Sequence, residues 1–218
     1  IDYVRIQPGT ARGANIRPAD DDMTAGALAV AAGARLDAAN LGVLASFGLE
    51  RVAVRRQPRV GVLVTGDELR AVGTPLGFGQ RYDSNRVMLQ ALFAAHGALA
   101  ADTRRCGDER DEQARRLHEL CASSDWVVTT GGASAGDADF MPELVASLGE
   151  RVFWKVAIRP GMPMLFGIIG GTPVFCLPGN PVSVFASLLT LVLPALRAMQ
   201  GQASRPRRYG VLAAPLRK

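Results

Sequence analysis

From Pro58 onward, apolar and polar positions follow two alternating patterns. Short, continuous apolar runs are typical of strands covered on both faces. Longer segments with apolar residues at helical spacing lie between these runs. The predicted strands are Val60–Val64, Ala98–Ala100, Trp126–Thr129, Val152–Val156, Met164–Gly167 and Pro173–Leu177. The predicted helices are Ser84–His96, Asp108–Cys121, Met141–Leu148 and Asn180–Met199. This alternation predicts an α/β fold, with an open, mostly parallel sheet and helices on both faces.

The first fifty or so residues lack that alternation and predict part of a separate, small mixed α+β domain. An extended piece (Tyr3–Ile6), a helix (Thr24–Ala32 before Gly33), a second helix from an Asp37 cap to Gly48, and a short strand (Val52–Val54) are expected. The expected domains are 1–57, the α/β domain 58–201, and the start of a β domain over 202–218. Because the sequence opens on Ile1 and closes within an apparent strand, we expect a piece of a longer protein.

Composition is globular, with 48% hydrophobic and 21% charged residues and a formal charge of +5. Basic residues cluster only at Arg205, Arg207 and Arg208, which favours a solvated surface over a nucleic-acid partner. The uncharged run from Val182 to Leu196 is short for a membrane span and contains hydroxyl side chains. A buried helix and a protein without a membrane partner are therefore expected.

The chain has three cysteines, Cys106, Cys121 and Cys176. Their odd number and their spacing match no metal-binding or redox motif. Buried thiols in a reducing, cytoplasmic compartment are the expectation. Both histidines, His96 and His118, fall in helical patterns, which argues against a histidine metal site or a Ser/His/Asp triad.

Ligands of open α/β sheets bind beyond the carboxyl ends of the strands, and this rule directs attention to the loops there. The first loop carries Thr65, Gly66, Asp67 and Glu68. Its acids could hold a metal or act as a base, or the segment could be a glycine turn with an acidic helix cap. In the second loop, Ser84 and Asn85 are typical helix caps, although a helix start at a strand end can also hold phosphate.

The third loop, TTGGASAGDADF, begins at Thr129 and predicts a glycine-rich turn between a strand and a helix. Such turns grip phosphate-like anions through backbone N–H groups, and this one lacks the lysine of a Walker motif. The residues expected to contact an anion or its counter-cation are Gly131, Gly132, Ser134, Gly136, Asp137 and Asp139. Helix capping is the alternative role for Asp137.

The fourth loop, LPGNPVS, has two prolines that stiffen the backbone around a glycine. Its candidate substrate contacts are Pro178, Gly179, Asn180, Pro181 and Ser183. A stiff connecting turn is the plain alternative.

Two cations lie between the third and fourth loops. Lys155 falls in a predicted apolar strand, where its charge needs a partner or a route to solvent, and Arg159 lies in a Pro-Gly turn from which it could reach an anion.

Seven segments in order resemble the molybdopterin molybdenumtransferase family, of the MoeA type and the gephyrin E-domain. They are GANIRPADDD, LGVLASFG, PRVGVLVTGDEL, GQRYDSNRVML, TTGGASAGDADF, FWKVAIRPGMPM and LPGNPVSVF. The glycine-rich segment is shared with molybdopterin adenylyltransferases, whereas GANIR, TGDEL and LPGNPVS point to the insertion enzyme. The resemblance implies a three-layer, molybdopterin-binding-like domain.

The resemblance implies an enzyme that inserts molybdenum from molybdate into adenylylated molybdopterin and releases AMP. It implies Mg²⁺ as the divalent cation, with Glu68 and Asp139 as essential acids and metal ligands. Asp108 matches a further acidic position and Lys155 a basic one. A homodimer and a molybdopterin adenylyltransferase partner are also implied.

One departure from the resemblance concerns charge: relatives usually carry a lysine where this chain has Met162. Losing a cation beside an anion should weaken binding, unless Arg159 or a residue elsewhere replaces it. The alternative function is a module of the same fold that binds molybdopterin or a nucleotide without chemistry, or that serves as a scaffold.

Overall fold

The computed structural model describes residues 2–5, 8–9, 11–134, 136, 139–202, 209–211 and 213–214. The chain divides into two compact units, Ile1–Ala53 and Val54–Lys218. The domain boundaries expected at 57 and 201 stay predictions, and most of 202–218 lies outside the described residues. So do Ile6 of the predicted extended piece and the arginines at 205, 207 and 208.

The first unit contains one described helix, α1 (Ala38–Ser46). The predicted Asp37 cap is confirmed, because its carboxylate accepts a hydrogen bond of 3.0 Å from the Asn40 N–H. Gly48 follows the helix at a φ of +73°, as its predicted role in ending the helix requires.

Two predictions for the N-terminal part are wrong. Residues 24–32 form turns instead of a helix, since Gly26 adopts a φ of +85° and interrupts helical winding. Val52–Val54 is not a strand, because none of the described ladders includes it and Val54 is 68% exposed. An apolar run becomes a strand only where a neighbouring strand completes its hydrogen bonds.

The second unit holds the remaining elements. Its strands are β1 (Arg59–Thr65), β2 (Leu69–Arg70), β3 (Arg81–Tyr82), β4 (Leu99–Cys106), β5 (Trp126–Thr130), β6 (Glu150–Trp154), β7 (Leu165–Ile169) and β8 (Thr172–Leu177). Its helices are α2 (Ser84–Ala95), α3 (Arg110–Ser123), α4 (Met141–Leu148), α5 (Pro181–Ser187) and α6 (Leu193–Met199). A π-helical turn, Leu188–Val192, joins α5 to α6.

The predicted open, mostly parallel sheet is confirmed. Six strands run in the order β4-β1-β5-β8-β7-β6, and β1, β4, β5 and β8 pair in parallel. Only β7 runs against its neighbours, through antiparallel pairing with β8 and β6. A separate two-stranded parallel ladder pairs β2 with β3.

Helices cover both faces of this sheet, as predicted. On one face, α2, α5 and α6 bury residues such as Leu89 and Val184 against β1, β5 and β8. On the other face, α3 and α4 bury Leu117 and Leu144 against the same strands. Because β1 and β5 lie between two helical layers, their side chains are buried on both sides, which explains their unbroken apolar runs.

Two helix starts differ from prediction by a few residues. Asp83, not Ser84, caps α2, since its Oδ1 accepts a hydrogen bond of 3.0 Å from the Arg86 N–H. The buried residues of α2 are Asn85, Leu89 and Phe93, whereas Val87 is 50% exposed. Glu109 caps α3, which begins at Arg110, so the predicted start at Asp108 is two residues too early.

The apolar segment after β8 is helical over Pro181–Met199 and is long and apolar enough to cross a membrane by length and composition alone. Its residues Val184, Leu188 and Leu196 are fully buried in the core, which confirms the predicted buried helix for one face. The π-helical turn falls just before Pro194. Proline lacks the N–H that would bond four residues back, so the turn before it widens.

All three cysteines are free and buried, as predicted. Removal from water raises the pKa of the Cys106, Cys121 and Cys176 thiols to about 12. At neutral pH these groups are therefore neutral thiols that pack as small apolar side chains.

Asp125 is predicted to tie the start of the second unit to the sheet in a pH-dependent way. It accepts two hydrogen bonds from the Arg56 guanidinium, at 2.5 and 2.6 Å, and one of 2.7 Å from the Arg59 N–H. The hydrogen bond from Arg56 is the main cause that lowers the Asp125 pKa. Stability from this pair is present above the unfolded-state pKa of about 3.9 and is lost as the pH falls through the lower, folded-state value.

We therefore expect Asp125→Asn to lower Tm at pH 7 by roughly 2–4 °C, with the difference from wild type vanishing in acid. Thermal unfolding followed by circular dichroism from pH 7 to the acid limit measures this. Glu50→Gln, at a side chain 87% exposed, is the matched control and should leave Tm unchanged. A constant Tm difference across the whole pH range would contradict the prediction.

Candidate functional site

Three neighbouring parallel strands end side by side at Thr65, Thr130 and Leu177, so the loops that follow them meet at one edge of the sheet. A cleft of about 380 Å³ opens there. It is lined by Thr65, Gly66, Glu68, Leu69, Arg81, Tyr82, Asp83, Ser84, Asn85, Asp108, Thr130, Gly131, Gly132, Asp139, Gly179, Asn180 and Pro181. All four loops that were singled out from the sequence thus contribute to one concave site.

The loop after β1 brings Glu68 into the cleft. Gly66 adopts a φ of +141°, and its carbonyl accepts a hydrogen bond of 3.2 Å from the Leu69 N–H, which closes a tight turn. A Cβ on Gly66 would lie 2.5 Å from Glu68 Oε2. The positive φ favours glycine here, and the Glu68 carboxylate folds back over the turn.

Asp67 points away from the cleft and joins two loops. Its N–H donates to Asp108 Oδ2, and the Asp108 N–H donates to Asp67 Oδ1, each at 3.2 Å. This reciprocal pair connects the loop after β1 to the loop after β4. Asp108 lines the cleft whereas Asp67 does not, so the structure gives Asp67 a positioning contact.

The glycine-rich loop after β5 forms the floor of the cleft. Gly131 and Gly132 have φ values of +89° and +65°, and the Gly131 N–H donates to Leu177 O at 3.1 Å. Asp139 lines the cleft, and its Oδ2 accepts a hydrogen bond of 2.8 Å from the Gly136 N–H. The exposed Ser134 and Gly136 are not among the lining residues, and Asp137 lies outside the described residues.

The loop after β8 and the start of α2 hold each other in place. Asn85 Nδ2 donates to Gly179 O at 2.8 Å, while Asn180 Oδ1 caps α5 through the Val182 N–H at 2.9 Å. Pro181 lines the cleft at the first turn of α5. The buried Pro178 lies behind the loop, and Ser183 is also outside the lining set.

Arg81 lines the cleft and was missed by the sequence-based prediction. Tyr82 and Asp83 also line it, although of the second loop, Tyr82–Asn85, only Ser84 and Asn85 were predicted contacts. They lie on or directly after β3, whose ladder with β2 pairs Leu69 with Arg81. The available signal was their place directly before the helix start at Ser84, in the segment GQRYDSNRVML. A two-residue strand is too short for an apolar pattern, so sequence periodicity does not reveal it.

Lys155 and Arg159 are not among the residues that line the cleft. The prediction that Lys155 lies within a strand is wrong, since β6 ends at Trp154 and Lys155 adopts a φ of +67°. Its ammonium group lies 4.5 Å from the centroid of the Trp154 ring, in a cation–π contact. Met162, at the position noted above, is 56% exposed.

The described residues lining the cleft carry an excess of negative charge. Glu68, Asp108 and Asp139 face it together with Asp83, whose carboxylate forms a 3.4 Å ion pair with Arg86. Arg81 is the only lysine or arginine in that described set. An anionic ligand therefore needs backbone donors, this arginine or a bound cation to offset the carboxylates.

No group of three or more histidine, cysteine, aspartate or glutamate side chains within the described part of the chain could hold a metal ion. Glu68 and Asp139 nevertheless line the same cleft. Mg²⁺ is commonly held by one or two carboxylates, with substrate phosphates and water completing its shell. The donor set therefore fits a cation that arrives with a phosphorylated ligand.

The chain belongs to the family described as "Probable molybdopterin binding domain", whose profile matches residues 61–198. That range covers the six-stranded sheet and the cleft almost completely.

Curated relatives include a molybdopterin molybdenumtransferase from Haemophilus influenzae, 39% identical over 86% of this chain and 46% of its own length. Molybdopterin molybdenumtransferase 2 from Mycobacterium tuberculosis is 37% identical over 99% of this chain and 55% of its own length. A molybdopterin biosynthesis moeA protein from Pyrococcus horikoshii superposes with a TM-score of 0.74 at 32% identity, over 84% of this chain and 45% of that one. The chain thus spans about half the length of these relatives.

Proposed function

We propose that this chain contributes the substrate-binding cleft of a molybdopterin molybdenumtransferase in molybdenum cofactor biosynthesis. The reaction inserts molybdenum from molybdate into adenylylated molybdopterin and releases AMP. The proposal rests on one observation above the others: TGDEL, the glycine-rich loop and LPGNP come from distant parts of the sequence and meet in a single cleft. The transferase names of the relatives support the same assignment.

The cleft supplies the groups that such a reaction needs from a protein. Gly131 and Gly132 line the cleft, where a phosphate could lie against their backbone. Glu68 and Asp139 are acids on the loops that follow the neighbouring strands β1 and β5, available to orient water and to hold or move a proton at the cleaved phosphate bond. Asp108 would hold the loop of Glu68 in place through its contact with Asp67.

Mg²⁺, where bound by Glu68 and Asp139, would neutralise charge on the phosphate oxygens. The remaining roles assigned from the sequence stay part of the proposal. Ser84, Asn85, Gly179, Asn180 and Pro181 line the cleft and would contact substrate. Lys155, Arg159, Ser134 and Ser183 do not line the cleft of this chain, so their contact with substrate stays a prediction.

A cytoplasmic homodimer that receives its substrate from a molybdopterin adenylyltransferase completes this proposal. Such a transfer is chemically reasonable, because an adenylylated intermediate is reactive toward water and benefits from direct delivery.

The second candidate is a module that binds molybdopterin or a nucleotide without chemistry. The position of Lys155 and Arg159 favours it, since both predicted cations lie outside the cleft lining. A binding module would need the glycine-rich loop but not the acids. The two candidates therefore differ in whether AMP is released.

The deciding experiment incubates the protein with adenylylated molybdopterin, molybdate and Mg²⁺ and quantifies AMP and the molybdenum-loaded product by mass spectrometry. We expect AMP release that depends on molybdate. Binding of adenylylated molybdopterin without AMP release would overturn the transferase and support the binding module.

A further inference from the structure

Arg81 lies at an acidic cleft but forms no ion pair with the described carboxylates there. Arg81 is an exposed residue that lines the cleft together with Glu68, Asp108 and Asp139. No acidic side chain among the described residues lies within ion-pairing distance of it. Many other arginines of the same unit do pair, including Arg56 with Asp125 and Arg104 with Asp102.

The backbone around Arg81 fixes where its side chain starts. Its N–H donates to Glu68 O at 2.9 Å, and the Asp83 N–H donates to Arg70 O at 2.9 Å. Arg81 is thereby held beside Glu68 by the β2–β3 ladder, at the rim of the cleft. The guanidinium of an exposed arginine that pairs with no carboxylate keeps its five N–H donors available for a ligand.

The other charged groups at this end of the cleft leave few places for an anion. The start of α2 is already filled by the Asp83 carboxylate, which is 2% exposed and accepts the Arg86 N–H. A second anion there would meet like charge. An anion is left with the backbone of the glycine-rich loop and with Arg81, which forms no ion pair among the described residues.

We propose that Arg81 is the specificity residue that binds a tetrahedral oxyanion in this cleft, as a fork across two of its oxygens. The inference rests on the proposed function and names the group that offsets the acids there. The oxyanion is the phosphate of the nucleotide or the molybdate itself, two ligands with the same charge-assisted chemistry. Arg81 therefore supplies the cation that Lys155 and Arg159, outside the lining, do not provide.

The test compares wild type with Arg81→Gln, Arg81→Lys and the control Arg51→Gln, whose side chain is 92% exposed in the first unit. Isothermal titration calorimetry with AMP, adenosine, inorganic phosphate and molybdate is run with and without Mg²⁺. We expect Arg81→Gln to weaken binding of the oxyanion it contacts about 10-fold or more. The affinity of Arg81→Lys should lie between those of wild type and Arg81→Gln, because lysine keeps the charge but cannot donate two parallel hydrogen bonds.

The probes distinguish the two sources of the oxyanion. If Arg81→Gln binds AMP and phosphate more weakly but molybdate as tightly as wild type, Arg81 contacts the nucleotide phosphate. If it binds only molybdate more weakly, Arg81 contacts molybdate. Adenosine binding should not change in any variant, since adenosine carries no phosphate. An equal loss for adenosine and AMP, or unchanged affinity for every anion in Arg81→Gln, would overturn the inference.

Failure of this inference and failure of the proposed function give different results. If wild type releases AMP and Arg81→Gln retains all anion affinities, only the role of Arg81 is wrong. If anion binding depends on Arg81 but wild type releases no AMP, only the transferase is wrong. A wild-type protein that binds none of the anions would reject both.

Discussion

Glu68→Gln and Asp139→Asn are each expected to reduce AMP release by about 10²–10⁴-fold while leaving the fold intact. Both substitutions keep size and shape and remove only the carboxylate charge. Both side chains line the cleft, and the Asn amide oxygen can still accept the Gly136 N–H that Asp139 accepts now. The measurement is molybdate-dependent AMP release under single-turnover conditions, with Tm recorded for each variant.

Glu143→Gln is the matched control for these variants. Glu143 lies in the first turn of α4, close in sequence to Asp139, but it is exposed and is not among the cleft residues. It should retain wild-type turnover. Normal turnover in both Glu68→Gln and Asp139→Asn would defeat the catalytic assignment.

Gly131→Ala should be the most destabilising single-methyl change at the cleft. The residue has a φ of +89°, and a Cβ there would lie 2.6 Å from Thr65 Oγ1 and 2.7 Å from Thr65 O. Backbone strain of about 1–2 kcal/mol and overpacking of about 1–3 kcal/mol should add, because the backbone carbonyl cannot rotate away. We expect a loss of about 2–5 kcal/mol in the free energy of unfolding, measured by urea denaturation.

Gly73→Ala separates these two causes. Gly73 has nearly the same φ, +88°, but no heavy atom within 4 Å of the added Cβ. The Gly73→Ala variant should lose only the backbone-strain part of the free energy of unfolding, about 1–2 kcal/mol. Equal losses for the two variants would mean that the contact with Thr65 contributes nothing.

The strand and helix order of the second unit could be predicted from sequence because burial on two faces leaves a local signal. β1 and β5 lie between helical layers, and their apolar runs are continuous. The N-terminal part carries a weaker signal. Residues 24–32 look helical by composition, yet Gly26 adopts a left-handed φ there and the segment forms turns.

The four loops were found by the rule that ligands bind beyond the carboxyl ends of parallel strands, and the cleft contains residues from each. The rule does not say which side chain of a loop turns inward. Asp67 and Glu68 are adjacent in sequence, and Asp67 instead bonds to the Asp108 N–H while Glu68 lines the cleft. Such a choice depends on contacts between loops.

The sequence by itself determined the α/β fold and the loops that form the cleft, because these depend on local pattern and on short, ordered motifs. Only the tertiary structure decided which cation belongs to the cleft. Lys155 stood out as a charge in a predicted apolar strand and Arg159 as a cation in a Pro-Gly turn, whereas Arg81 gave no such signal in a two-residue strand. Its place beside Glu68 follows from the β2–β3 ladder, a pairing between segments that the local sequence pattern does not encode.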